Sequence, residues 1–105
     1  MAFEDDFAAC LTNVMPGFDF QASDIPAEDE VRIGAENLAA WLNALEPDTL
    51  AAVDEVTADF GVSQGLADPS VGIAVPLLPI LLVVDNTPVS MPISSVVQSL
   101  SMCLP

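Results

Sequence analysis

The sequence predicts an α+β chain: a small N-terminal helical part of about three short helices, then an extended, Pro-rich apolar arm or hairpin of β type. Three contrasts carry that reading. Fifteen of the sixteen acidic residues lie in residues 1–68, and all six aromatics lie in the first sixty. Six of the nine prolines fall in the last thirty-seven residues, where Asp85 is the single charged side chain. The chain therefore divides near Asp68-Pro69 into an acidic helical region, 1–68, and an apolar extended arm, 69–105. With 52% apolar residues beside a net charge of -15, it has too much hydrophobic content for a disordered acidic tail.

The first helix is marked by Phe3, Phe7, Leu11 and Val14 on one face, with Cys10 beside them. Glu4, Asp5 and Asp6 occupy its first turn, where carboxylates complement the helix dipole, and Pro16-Gly17 stops the run. A second start follows at Ser23-Asp24, with Pro26 near the first helical position and Glu28-Asp29-Glu30 in the opening turn. Val31, Ala35, Leu38, Leu42 and Leu45 then repeat at helical spacing, bordered by Trp41. Pro47 ends this helix and opens the next, whose inner face is expected to hold Leu50, Val53, Thr57 and Phe60, with Gly61 as its C-cap.

The arm reads differently. Pro76 and Pro79 interrupt an uncharged run, Val71 to Val84, and prolines break helix interiors. Ile80, Leu81, Leu82, Val83 and Val84 form a continuous apolar stretch of strand length, which predicts a strand buried on both faces. Asp85-Asn86-Thr87-Pro88 supplies turn chemistry, so a hairpin centred on Asn86 is expected. Val89, Met91 and Ile93 alternate with polar residues or proline, as a half-buried extended segment does. Ser95 to Leu104 fits either a short helix or a further strand.

Composition excludes several chemistries. With one basic residue, Arg32, the chain has no means of neutralising a row of phosphates, so direct nucleic-acid binding is not expected. It has no His and no Lys, hence no imidazole base, no activated serine and no Schiff-base amine. No catalytic residue, cofactor or small-molecule substrate is expected. Glu4-Asp5-Asp6, Glu28-Asp29-Glu30 and Asp54-Glu55 are hard oxygen clusters without the spacing of a calcium loop, and consecutive acids diverge around a helix. Two cysteines without histidine cannot complete a zinc shell. Arg32 is expected to pair with Glu28 or Glu36 at i,i+4 spacing.

The acidic start is unlike a signal peptide, which points to a cytoplasmic protein or part of a viral particle, and to Cys10 and Cys103 as free, buried thiols. The run Val71 to Val84 is short of the ~20 residues needed to span a bilayer, so membrane insertion is not expected.

Residues 69–105 hold twenty apolar side chains, of which even half represent on the order of 20 kcal/mol of burial. Three short helices offer limited area to cover them. The sequence therefore predicts a non-enzymatic structural or assembly protein, such as a minor or decorating capsid subunit, whose arm packs into neighbouring protein subunits. Ile80, Leu81, Leu82, Val83, Val84, Val89, Met91 and Ile93 are the expected partner-binding residues. Two alternatives share the layout. One is an acidic mimic of nucleic acid that occupies a basic groove on a DNA-binding protein. The other is a peptide precursor, similar in outline to an acidic helical leader with an enzyme-modified apolar tail. A salt-rich habitat would also account for the charge.

Overall fold

A computed structural model describes residues 2–62, 75–87 and 91–105 of the chain. The described residues form five α-helices and two 3₁₀ turns with no strand, so the β-type arm of the expected α+β fold is not there. The helices are α1 (Phe3–Val14), α2 (Glu28–Asn43), α3 (Pro47–Phe60), α4 (Leu78–Asp85) and α5 (Ile93–Cys103). The 3₁₀ turns are Ala22–Asp24 and Val75–Leu77.

The first three helices follow from their sequence signals. α1 stops before Pro16-Gly17, and Gly17 takes the positive φ of 98° that lets the chain reverse. Its apolar face buries Phe7, Ala8 and Leu11, and Phe3 stacks on Phe7 with ring centroids 5.1 Å apart. The following loop is also part of the core: Met15, Phe18, Phe20 and Ile25 are buried. Thr12 anchors it, its hydroxyl accepting the Phe20 N–H at 3.0 Å. α2 buries Val31, Gly34, Ala35, Leu38 and Leu42 along one stripe. α3 begins at Pro47 and ends at Gly61, whose φ of 100° closes the helix as expected.

The arm departs from expectation for a stated reason. A proline breaks a helix when its ring meets the carbonyl of the preceding turn, and a first turn has no such carbonyl to meet. Pro79 is the second residue of α4 and Pro76 lies in the 3₁₀ turn before it, so the two prolines start the helix instead of forbidding it. The apolar run that reads as a two-sided strand is then a short helix burying Ile80, Leu81 and Val84, the i, i+1, i+4 set of a helix face. Asn86, the expected hairpin centre, is the C-cap of α4 and donates its N–H to the Leu82 carbonyl at 3.0 Å. Met91 and Pro92 are non-helical, Ile93 opens α5, and Val89 lies outside the described residues.

α5 is the hub. It packs against α1, α2 and α3, and buries Ile93, Val96, Val97 and Leu100 at i, i+3, i+4, i+7 spacing. One core cluster draws on both halves of the sequence, with Leu77, Ile80, Leu81 and Val84 enclosed beside Leu11, Val31 and Leu38. Leu77 seats directly over Gly34, where an added Cβ would stand 2.8 Å from its Cγ.

The cysteines are also corrected. Cys10 on α1 and Cys103 on α5 form a disulfide, with Cα atoms 5.8 Å apart and a separation of 93 positions in sequence. Their apolar surroundings read as those of two separate buried thiols, whereas the packing of α1 on α5 brings them together.

The account of the arm changes with this. An extended segment exposes two faces and an unpaired backbone edge, while a helix satisfies its own backbone and needs one covered face. The total accessible surface is 5615 Å² for 11.0 kDa, against about 5,600 Å² for a folded monomer of that mass. The Cα radius of gyration is 12.7 Å, against about 13 Å for a compact domain of this length. Among the described residues of the arm, Leu77, Ile80, Leu81, Val84, Ile93, Val96, Val97 and Leu100 are hidden by the chain itself.

Candidate interaction surface

Of the eight residues expected to meet a partner, Ile80, Leu81, Val84 and Ile93 are buried in this chain's own core. Val83 and Met91 are half-buried against it, and Val89 lies outside the described residues. Leu82 alone among the seven described ones is well exposed, at 50%. The structure thus gathers the first four into one interior and does not assemble the eight into a surface.

The exterior is defined by carboxylates. Ten of the fifteen described acidic residues are exposed, five are intermediate and none is buried, while Asp68 lies outside the described residues. Arg32, the one basic residue, pairs with Glu28 at 2.8 Å, as its i,i+4 spacing predicts. Some carboxylates serve the fold. Asp54 on α3 accepts both the backbone N–H of Ser94, at 3.1 Å, and its hydroxyl, at 2.7 Å. Asp85 accepts the Val62 N–H at 2.7 Å, joining the end of α4 to the end of α3. The remainder leave a surface of one sign. Among the described residues no group of three His, Cys, Asp or Glu side chains converges as metal ligands would. No described helix is long and apolar enough to cross a membrane.

α3 is the least enclosed of the long helices, and Thr57 is its one buried residue. Phe60, expected on its inner face, is instead 72% exposed, and Val56 one turn earlier is 41% exposed. The reason is positional. Ile93, the first residue of α5, already docks at Thr57, so α5 does not reach Phe60. A cavity of about 210 Å³ lies at this end of α3, lined by Asp59, Phe60, Val84, Asp85 and Met91 among others. Sequence reasoning missed Val56 and Phe60 as surface residues. The available signal was Glu55 and Asp59 immediately before them, which mark that side of the helix as wet.

What fold and surface define is a disulfide-closed domain, all-helical among its described residues, with an anionic exterior. Compared with protein-family models, curated proteins and solved structures, the chain matches none.

Proposed function

We propose that this chain is a non-enzymatic interaction protein that recognises a basic surface on a partner protein through its carboxylates. The supporting observation is the charge inventory: fifteen described acids at or near the surface against a single cation already held by Glu28. A field of one sign steers a basic partner and suppresses acidic ones. Imitation of nucleic-acid phosphates is the more specific form of this role. The exposed acids and the lack of His and Lys support a binding role over an acid–base one.

The subunit reading rested on an arm that its own chain could not cover, and Ile80, Leu81, Val84 and Ile93 are covered. Its remaining support among the described residues is exposed Leu82 and Met102. The precursor reading expects a tail without structure, whereas residues 93–103 are helical and centrally packed. The Cys10–Cys103 bond supports action in an oxidising compartment or an exported particle.

The test is affinity capture from the native source, followed by reconstitution with the purified partner across a salt series. The expected partner is strongly basic and is released by about 0.5 M salt, where the screening length falls to a few ångströms. A neutral partner retained in high salt contradicts the proposal and favours the subunit reading.

A further inference from the structure

We infer that the exposed face of α3 (Pro47–Phe60) is the docking surface, and that its occupant is a cationic amphipathic helix of a partner protein. This rests on the proposed function and names its site. At about 100° per residue, Asp48, Glu55 and Asp59 fall in one row along α3, all exposed. Ala52, Val56 and Phe60, also exposed, form a second row beside it. The two rows make one strip, acidic along one side and apolar along the other.

The other long helices expose at most one large apolar side chain each, Ile33 on α2 and Met102 on α5, because their apolar stripes are spent on the core: three residues of α1, five of α2 and, with Ser99, five of α5 are buried, against one of α3. The strip ends at the cavity bordered by Phe60, Asp59 and Met91. A helix laid along it would set aliphatic side chains on Val56 and Phe60 and lysine or arginine side chains on the acidic row, with Phe60 offering a ring face to a cation. Charge selects this occupant over two others. A second copy of the chain would bring another acidic surface to the strip, with no lysine to offset it. An anionic membrane is repelled for the same reason.

The test titrates the intact, oxidised protein with a synthetic helical Lys/Leu peptide whose leucines lie on one face, and with a scrambled peptide of equal charge. The expected result is tighter binding of the amphipathic peptide. Phe60→Ser and the pair Glu55→Gln, Asp59→Asn each weaken it by about tenfold, the scale of a central contact. Ile33→Ser with Glu36→Gln, on exposed positions of α2, changes it by less than about twofold. If wild-type protein binds neither peptide, the electrostatic reading of function falls as well. If it binds both peptides equally and Phe60→Ser changes nothing, that reading stands and the α3 site is overturned.

Discussion

Thr57 on α3 accepts the backbone N–H of Ile93, the first residue of α5, at 2.9 Å in a buried setting. The same hydroxyl donates to the carbonyls of Val53 and Asp54, at 2.9 and 3.0 Å. One turn away Asp54 receives Ser94, so α3 supplies the cap that the first turn of α5 lacks in its own sequence. Thr57→Val keeps the shape but strands a buried donor, and is expected to cost about 2 kcal/mol. Thr57→Ser, which retains the hydroxyl, should cost less than half of that. Asp54→Ala should cost about 1 kcal/mol, as a lost N-cap does. Urea unfolding measures all three, and a Thr57→Val protein as stable as the parent would contradict this role.

Gly34 and Leu77 test whether the start of the arm is seated in the core. Replacing a mid-helix glycine by alanine ordinarily gains up to about 1 kcal/mol. Here the new methyl would meet Leu77 Cγ at 2.8 Å, and Leu77 is fully enclosed and cannot swing away. Overpacking of this kind costs about 1–3 kcal/mol, so net destabilisation is expected. Pairing Gly34→Ala with Leu77→Ala should recover part of the loss. Additive effects in that double-mutant cycle would mean that the two residues do not touch.

The Cys10–Cys103 bond closes nearly the whole chain. In the chain-entropy account a loop of this size contributes roughly 4–5 kcal/mol. Reduction, or Cys103→Ser, should therefore lower the melting temperature by more than about 15 °C. Thermal melts followed by circular dichroism, with and without a reductant, check this. An unchanged melting point after complete reduction would show that the bond adds nothing to the fold.

Net charge sets a fourth expectation. Folding concentrates a charge of -15 on a small body, and salt screens that repulsion more than it weakens one i,i+4 ion pair. The melting temperature should rise between about 0.01 and 0.3 M salt, over which the Debye length shrinks from about 30 Å to several ångströms. A falling melting temperature would mean that attractive pairs outweigh the repulsion.

The N-terminal helices were legible because their signals are local: proline at an opening turn, acids in the first turn, glycine at the close. The pairing of Cys10 with Cys103 was not, since it is decided by which helices pack together. Pro79 misled for a different reason. Its meaning depends on whether it is the second residue of a helix or the fifth, and the apolar run beyond it has no polar face to show a helical period. Phe60 kept the spacing of an inner-face residue, yet α5 starts only at Ile93, against Thr57, and runs away from it. That one displacement turned an expected core aromatic into the centre of the proposed surface.

Hydrogen–deuterium exchange on dilute, oxidised protein tests most directly whether the C-terminal third is enclosed by its own chain. Amides of residues 81–85 and 97–103 should exchange slowly, at rates independent of protein concentration. Rapid exchange there, or protection that develops only as concentration is raised, would show that another molecule completes the fold.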